Sequence, residues 1–213
     1  MNSSLEVVYR KHHSDRHRQD FAILEKERGT LFAKLIGSGR KVLDLGCRDG
    51  VITKYFVNDN EVTGVDVDSA MLEKAAKTWG IKTAHFDIQS DRWPVQASYF
   101  DVVVAGELLE HLYFPSQIVE KISRLLGPGG LFIGSVPNAF ALKNRIKYLF
   151  AVKKGTPLED PMHINHFSRR ELEEMLYKNF KKITIFPLGK KYMGLTRIMP
   201  SLLGHSFAFC AEI

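Results

Sequence analysis

Cysteines are few in this sequence, and long apolar runs are absent from it. Its 213 residues include two cysteines, Cys47 and Cys210, which lie far apart and make no disulfide framework. Such sparing use is typical of a reducing compartment, so we expect a cytoplasmic protein. Because no run of about 18 apolar residues is present, we expect no transmembrane helix. The polar first residues also predict no secretory signal.

Several signatures of catalytic and binding sites are missing as well. The chain has no Gly-x-Ser-x-Gly turn, no phosphate-binding P-loop and no paired Cys-x-x-Cys motif. It also lacks the aromatic and basic pattern of an RNA-binding module, so a nucleic-acid partner stays open but is not favoured. These absences remove the corresponding hydrolase, nucleotide-binding and cysteine-based sites from consideration.

Basic residues outnumber acidic ones, which gives a formal charge of +6 and an isoelectric point near 9.2. Such a balance can indicate a nucleic acid or an anionic membrane as a partner, but we favour a solvated, mildly basic surface. We interpret the cations nearest the N-terminus as a solvated segment that leads into a helix. The cations form three clusters, at residues 10–18, at residues 143–154, and at Lys190, Lys191 and Arg197.

The hydrophobic pattern alternates between strand-like and helix-like periods, as in an α/β domain. This order predicts a doubly wound, mostly parallel sheet with helices on both faces. The length fits a single domain over residues 1–213, with a helical lead-in at 1–40. The predicted strands are 41–45, 61–65, 81–86, 100–105, 131–136, 182–186 and 206–211, and the predicted helices are 20–35, 69–79, 116–126 and 169–177.

The most informative segment runs from Lys41 to Gly50. An apolar strand that carries Asp44 leads here directly into a turn that contains Gly46, and glycine lets the backbone approach a ligand closely. The next predicted strand is followed by a second acid, Asp66. A glycine turn after one strand and an acid after the next are the means by which an α/β sheet holds a nucleoside-bearing cofactor.

The identity of this cofactor follows from the charges beside the turn. A dinucleotide site has the sequence Gly-x-Gly-x-x-Gly and places a pyrophosphate on a helix N-terminus, whereas this turn lacks that spacing and carries Asp44 and Asp49. Two acids would repel a pyrophosphate but suit a cationic amino group. S-adenosylmethionine has such a group, with a carboxylate for backbone N–H groups and a ribose diol for Asp66.

Five segments, in order, resemble the motifs of class I S-adenosylmethionine-dependent methyltransferases: 42–50, 64–68, 85–88, 100–112 and 126–133. The resemblance extends from about residue 41 to the end of the chain. It implies a seven-stranded Rossmann-like sheet whose last strand is antiparallel. It departs from the family at Arg48, where many relatives have a glycine. The residues that it implies for cofactor binding are Asp44, Gly46, Cys47, Arg48, Gly50, Asp66, Val67, Phe86, Asp87, Ile88 and Gly106.

The segment Glu107-Leu-Leu-Glu110-His111 is the leading catalytic candidate. If it is helical, its carboxylates and imidazole share one face and, with His163 or His166, can hold Mg²⁺ or Mn²⁺. The pattern is similar to the metal site of quinone-biosynthesis and small-RNA 2′-O-methyltransferases, in which a cation lowers the pKa of an acceptor hydroxyl. The metal candidates are Glu107, Glu110, His111 and His163.

Family members without a metal have a similar motif, whose Glu and His side chains hold the active-site turn by hydrogen bonds. In that case His111 or His163 becomes the candidate general base. His163 and His166 also resemble a common segment before a helix, with Ser168 as the N-cap and Glu171 three residues on. The catalytic candidates are Glu107, His111 and His163.

Substrate choice is assigned to an insertion at residues 137–167, where the carboxyl ends of strands open. Within it, residues 139–152 predict an amphipathic helix with a basic face. Three interpretations are open: a lid over the substrate, a helix packed on the core, and a surface that docks on lipid or an anionic acceptor. We favour lid or core, since one short helix is a weak membrane anchor. The apolar stripe consists of Leu142, Ile146, Leu149 and Phe150.

The expected function is methyl transfer from S-adenosylmethionine to a hydroxyl, or another nucleophile, of a small-molecule, glycan or lipid-linked acceptor. The Asn/Asp-Pro-Pro-Tyr/Phe pattern with which related enzymes methylate base nitrogens is absent. A sulfonium methyl needs little activation, so the protein must chiefly align and deprotonate the acceptor. Metal-assisted O-methylation of the quinone or RNA 2′-hydroxyl type is the alternative. A dinucleotide-dependent oxidoreductase and a non-catalytic scaffold are further rivals.

Overall fold

A computed structural model describes residues 4–15, 20–189 and 199–213, which form one seven-stranded sheet. The order across the sheet is β3-β2-β1-β4-β5-β7-β6. Strands β1 to β5 are parallel, whereas β7 is antiparallel to both of its neighbours. The predicted fold class is therefore confirmed. The strands are β1 (Lys41–Leu45), β2 (Glu61–Asp66), β3 (Lys82–His85), β4 (Phe100–Gly106), β5 (Leu126–Pro137), β6 (Lys182–Leu188) and β7 (Ser206–Glu212).

Helices flank the sheet, and side-chain caps start two of them. Asp68 accepts the N–H groups of Ala70 and Met71 at the start of α3. Ser168 and Glu171 form the predicted capping box at the start of α6. The helices are α1 (Ser4–Asp15), α2 (Glu25–Ile36), α3 (Ser69–Trp79), α4 (Pro115–Leu125), α5 (Leu142–Leu149), α6 (Arg169–Leu176) and α7 (Pro200–Leu203).

Some of the sequence-based predictions lie outside the residues that the structure describes. The basic cluster at Lys190, Lys191 and Arg197, and residues 16–18 of the first cluster, lie outside the described residues. Over the part of the chain that the structure describes, no helix is both long enough and apolar enough to cross a membrane. The assignment of residues 1–213 to one domain stays a prediction.

The sheet separates two apolar layers, because successive side chains of a strand point to opposite faces. Leu43 packs on one side in a cluster with Val119 of α4 and Leu172 of α6. Val42, the preceding residue, packs on the other side in a cluster with Phe32 of α2. Burying each such side chain stabilises the fold by about 1.5–3 kcal/mol. The two layers hold the parallel strands so that their carboxyl ends meet at one edge.

Two helices are shorter than predicted. Helix α2 begins at Glu25 rather than at residue 20, because Leu24 has a φ of 53° and so cannot continue a right-handed helix. Phe21, which lies within the predicted helix, falls outside α2 and is exposed. The helix of the insertion covers 142–149 rather than 139–152, and a left-handed Ala151 with a φ of 56° follows its end.

Strand β5 is longer than predicted. It begins at Leu126, directly after α4, so Pro128, Gly129 and Gly130 lie within the strand rather than before it. The pairing with β4 absorbs this segment through a register shift between Phe100 and Val102. An irregularity of this kind lets turn-forming residues remain inside a strand.

Candidate active site

A cavity of about 350 Å³ opens at the carboxyl ends of the central strands. Its wall includes Asp44 of β1 and the last residues of β2, β4 and β5, which are Asp66, Gly106 and Pro137. Ligand sites of doubly wound sheets lie at this edge, and the volume is within the range of roughly 300–1,000 Å³ for small-molecule sites. All residues predicted for cofactor binding, apart from Gly50, line this cavity.

The turn after β1 is held by the backbone of β2 and by glycines in left-handed conformations. Gly46, with a φ of 69°, and Cys47 both donate their N–H groups to the carbonyl of Val65. Gly50 has a φ of 76°, and a Cβ atom there would lie 2.5 Å from Trp79. Gly50 therefore allows the turn to pack closely against α3 and is not part of the cavity wall.

Arg48 lies where the sequence departs from the first motif of the family. Its φ of 51° is in the left-handed region that glycine adopts more easily. The guanidinium folds back: Nη2 donates to the carbonyl of Phe21 at 2.6 Å, and Nε donates to Asp49 Oδ1 at 3.1 Å. These contacts tie the turn to the segment before α2, so the loop adopts the glycine-like conformation without the glycine.

Two buried acids, Asp44 and Asp66, line the cavity at the ends of β1 and β2. The carboxylate of Asp66 accepts the N–H groups of Arg48 and Asp68, each at 2.9 Å, which fixes its orientation. Asp44 accepts the hydroxyl proton of Thr53 at 2.7 Å. Burial, with a smaller contribution from the charge of Asp66, raises the pKa of Asp44 to about 7. A cation bound beside Asp44 would therefore favour its ionised form.

The wall after β3 combines a flat apolar surface with one carboxylate. Phe86 packs against Trp93 with ring centroids 5.9 Å apart, and Ile88 is buried. Asp87 accepts the N–H of Gln89 through Oδ1 at 2.8 Å. Phe86, Asp87 and Ile88 line the cavity together with Val67. Such a surface suits an aromatic ring that carries an amino group.

Arg28 of α2 was not identified from the sequence, although it lines the cavity. It is 4% exposed, and its Nη1 lies 3.5 Å from both Glu107 Oε1 and Ser135 Oγ. Its buried Nε has no hydrogen-bond partner within the described residues. A buried guanidinium with an unused donor fits a ligand carboxylate. The sequence feature that could have identified Arg28 is its position one helical turn before Phe32, on the buried face of an amphipathic helix.

Glu107 does not lie in a helical turn. It has a φ of 56°, and a single turn of 3-10 helix covers Leu109 to His111. Glu107, Glu110 and His111 would share one face only if the segment were helical from Glu107, and this condition is not met, because a left-handed residue cannot begin that helix. The carboxylate of Glu107 instead forms an ion pair with Arg28.

Glu110, His111 and His163 come together without Glu107. Their potential ligand atoms lie within 4.8 Å of one another, and the two imidazole rings are 4.9 Å apart in an edge-to-face arrangement. His111 Nδ1 lies 2.9 Å from the carbonyl of Met162, and His163 Nδ1 lies 2.9 Å from that of Pro157. Because a carbonyl oxygen can only accept, each Nδ1 donates to its carbonyl, and the uncharged form of each ring has its lone pair on Nε2.

His166, the other histidine considered from the sequence, is not part of this group. It does not line the cavity, and burial lowers its pKa. Tyr9 of α1, which was not identified from the sequence, does line it and lies edge-on to His111 with ring centroids 6.5 Å apart. Burial raises the pKa of Tyr9 to about 12, so its hydroxyl keeps its proton. The sequence feature that could have identified Tyr9 is its spacing from Leu5, since residues one helical turn apart share a face.

The insertion at residues 137–167 forms one side of the cavity through Asn144, Thr156 and Asp160. Asn144 is 2% exposed and donates through Nδ2 to the carbonyl of Asn138, while its Oδ1 has no hydrogen-bond partner within the described residues. The interpretation that the apolar stripe of α5 packs on the core is wrong, since Leu149 is 81% exposed. The inner face of α5 is polar, and its apolar face points away from the core.

Comparisons with known proteins agree with this geometry. A family profile described as a methyltransferase domain matches residues 14–180. The ubiquinone biosynthesis O-methyltransferase of Psychrobacter cryohalolentis is 33% identical over 122 residues, which are 54% of this chain and 46% of that protein. The protein of the same name from Alkalilimnicola ehrlichii is 29% identical over 186 residues, 78% of this chain and 73% of that protein. The chain thus spans about half the length of the first of these relatives.

Solved structures with little sequence identity share the fold. A methyltransferase of Thermotoga maritima, described as a possible histamine N-methyltransferase, matches with a TM-score of 0.69 at 16% identity. The match covers 94% of this chain and 96% of that protein. A methyltransferase of Archaeoglobus fulgidus has a TM-score of 0.66 at 17% identity, with 89% and 93% covered. At these identities the likeness concerns the fold alone.

Proposed function

Because the chain belongs to the class I S-adenosylmethionine-dependent methyltransferase family, we propose that it methylates a hydroxyl group of a small-molecule, glycan or lipid-linked acceptor. The observation that carries the proposal is the cavity at the strand ends, where several buried charged side chains face one ligand-sized space. They include Asp44, Asp66 and Arg28. We also propose a cytoplasmic location, which accords with two free cysteines.

The chemistry of the cavity wall fits the parts of S-adenosylmethionine. Asp66 suits the ribose diol, and Asp87 with the apolar surface of Phe86 suits the adenine ring. Arg28 offers a buried donor for the carboxylate, and Asp44 offers an acceptor for the cationic amino group. When bound, this cofactor supplies a methyl group on a sulfonium.

The protein's own contribution is to position the acceptor and take its proton. His111 and His163 both have the lone pair on Nε2 and both line the cavity, so either can act as the general base. The carbonyls of Met162 and Pro157 orient the two rings and stabilise an imidazolium once it forms. Asn144 and Asp160 supply polar contacts for an acceptor on the side of the insertion.

A metal-assisted O-methyltransferase of the quinone or RNA 2′-hydroxyl type is the second candidate. It is favoured by the grouping of Glu110, His111 and His163 and by the names of the ubiquinone biosynthesis relatives. With Glu107 bound to Arg28, the remaining set has one carboxylate and two imidazoles. Such a set suits Mg²⁺ less well than the predicted four-residue set, because Mg²⁺ prefers oxygen ligands.

Release of S-adenosylhomocysteine from S-adenosylmethionine, measured by mass spectrometry over a panel of hydroxyl acceptors, tests the proposal. We expect turnover with at least one acceptor and a loss of about 100-fold or more in kcat for H163Q if His163 is the base. H166Q is the matched control, because His166 lies outside the cavity. Equal losses in both variants would argue for a structural role.

The same assay separates the remaining rivals. Turnover that is abolished by EDTA and restored by Mn²⁺ or Mg²⁺ would favour the metal-assisted reaction. S-adenosylhomocysteine binding without turnover on any acceptor of the panel would favour a scaffold that has kept the cofactor site. A saturable change in NADH fluorescence on titration, without binding of S-adenosylhomocysteine, would favour the oxidoreductase.

A further inference from the structure

Helix α5 presents an apolar stripe to solvent. Leu142, Ile146, Leu149 and Phe150 are 44%, 52%, 81% and 72% exposed, respectively. Their spacing of four, three and one residues places them along one side of the helix and its C-terminal cap. Single exposed apolar residues are common on protein surfaces, but a contiguous patch of large ones marks a surface that another body covers.

Basic side chains border this stripe. Between residues 139 and 158 the chain has five lysines and arginines and no acidic residue. At about 100° per residue, Lys143 and Lys147 lie on one side of the stripe and Arg145 on the other. Arg145 is exposed, whereas Lys143 also lines the cavity and Lys147 donates to the carbonyl of Lys154 at 2.8 Å. Lys153 and Lys154, just after the helix, are exposed as well. Apolar residues in the centre and cations on both borders are the arrangement of a helix that lies in a membrane interface.

The opposite face of α5 is fixed to the protein. Asn144 is 2% exposed, lines the cavity and donates to the backbone of Asn138. Asn138 in turn donates through Nδ2 to the carbonyls of Ser201, within α7, and Gly204, directly after it. The helix is therefore held to the protein by its polar face. This attachment fixes its orientation, so the apolar stripe stays on the solvent side.

We propose that the outer face of α5 docks on an anionic phospholipid membrane. Acyl chains would receive Leu149 and Phe150, and lipid phosphates would pair with the flanking lysines and arginine. A second copy of this chain fits less well, because an isologous contact would bring five cations against five others. The proposal goes beyond methyl transfer, since docking does not require turnover. It would place the cavity, which Asn144 lines from the same helix, close to the bilayer surface.

Vesicle co-sedimentation of the full chain tests the proposal. The vesicles contain phosphatidylcholine alone or phosphatidylcholine mixed with phosphatidylglycerol, at about 0.1 M and about 1 M salt, where the Debye length falls from roughly 10 to 3 Å. We expect binding to the anionic vesicles at low salt and at least a severalfold loss at high salt. Equal binding to neutral and anionic vesicles, unchanged by salt, would overturn the proposal.

Two double variants separate the apolar and the charged contributions. L149S/F150S should abolish measurable binding. K153E/K154E should lower it by at least about 25-fold, because losing each cation near an anionic surface costs about fivefold and each new carboxylate adds repulsion. Tyr177 and Lys178 follow α6 on another part of the surface and are both exposed. The variant Y177S/K178E is therefore the matched control and should bind as the unmodified protein does.

The outcomes distinguish the occupants. Binding lost by K153E/K154E but kept by L149S/F150S would show attraction by charge alone and would overturn docking through the stripe. A dimer in sedimentation velocity without vesicles, lost in L149S/F150S, would assign the face to a second copy instead. Thermal unfolding of each variant identifies folding defects, and K153E/K154E, outside the helix, keeps the proposal testable if the apolar variant does not fold.

Discussion

At the residue scale, the environment of Asp44 couples folding to pH. Its ordinary pKa of 3.8 rises to about 7 in the folded protein, so between these values the folded chain keeps a proton that the unfolded chain has lost. The stabilisation that this carboxyl contributes is complete below pH 3.8 and is lost as the pH rises through 7. The slope is at most about 1.4 kcal/mol per pH unit.

We therefore expect the free energy of unfolding to fall less steeply from about pH 5 to pH 7 in D44N than in the unmodified protein. Asn keeps an oxygen that can accept the Thr53 hydroxyl, so the variant should fold. Urea unfolding of the ligand-free protein at several pH values measures the difference. Equal slopes for both proteins would contradict the assigned pKa.

The same carboxyl predicts a pH dependence of ligand binding. A ligand with a cationic amino group needs Asp44 ionised, so below pH 7 binding must also remove a proton. The affinity for S-adenosylhomocysteine should rise by up to about tenfold per pH unit toward pH 7 and level off above it. Isothermal titration calorimetry in buffers of different ionisation enthalpy would also detect the released proton. In D44N this component of the pH dependence should disappear.

Arg28 gives a third prediction at this scale. If its buried Nε holds the ligand carboxylate, R28Q should weaken S-adenosylhomocysteine binding by about tenfold or more, the equivalent of a charge-assisted hydrogen bond of roughly 1.5–3 kcal/mol. Lys26 lies on the same helix and is exposed, so K26Q is the control and should bind normally. Adenosine, which lacks the amino-acid part of the ligand and therefore its carboxylate, should bind R28Q and the unmodified protein equally well. A loss that adenosine shares would indicate general damage to the cavity.

At the scale of elements, the start of α6 depends on its capping box. Ser168 accepts the N–H of Glu171, and Glu171 accepts the N–H of Ser168 in return. Removing the hydroxyl in S168A should cost about 1 kcal/mol and lower Tm by roughly 2–4 °C. S123A is the control, because Ser123 lies inside α4 and its hydroxyl donates to a backbone carbonyl of the same helix. Calorimetry of both variants would reveal whether the cap stabilises the helix as predicted.

Helix α5 of the insertion has one face toward the cavity and another toward solvent. Helix α5 turns Asn144 toward the cavity and Leu149 toward solvent, so a change on either face can be tested without altering the other. Variants on the outer face should leave S-adenosylhomocysteine affinity unchanged while they alter membrane binding. This separation distinguishes a docking surface from a lid that must close on the ligand.

At the scale of the whole molecule, ligand binding should stabilise the folded chain. At a hundredfold excess over Kd, S-adenosylhomocysteine should add about 2.7 kcal/mol, which corresponds to a rise in Tm of roughly 5–10 °C for a domain of this size. Asp66 has its carboxylate fixed by two backbone N–H groups, and D66N should reduce the shift. A thermal-shift titration measures both, and no shift at saturating ligand would contradict the proposed cofactor.

The sequence by itself determined the sheet and the strand-end motifs. Strand positions follow from short apolar runs, and Asp44, Gly46 and Asp66 lie at, or directly after, the carboxyl ends of β1 and β2. Parallel strands then bring their carboxyl ends to one edge. For this reason nearly all of the predicted cofactor residues line one cavity, although their roles stay predictions.

The tertiary structure alone decided which distant side chains complete the site. Arg28 and Tyr9 come from helices that precede β1, and no local pattern states which helix face will meet the cavity. The left-handed conformation of Glu107, its ion pair with Arg28 and the solvent exposure of Leu149 likewise depend on packing between segments far apart in the chain. Periodicity encodes which residues share a face, whereas the partner of that face depends on contacts that form only when the chain folds.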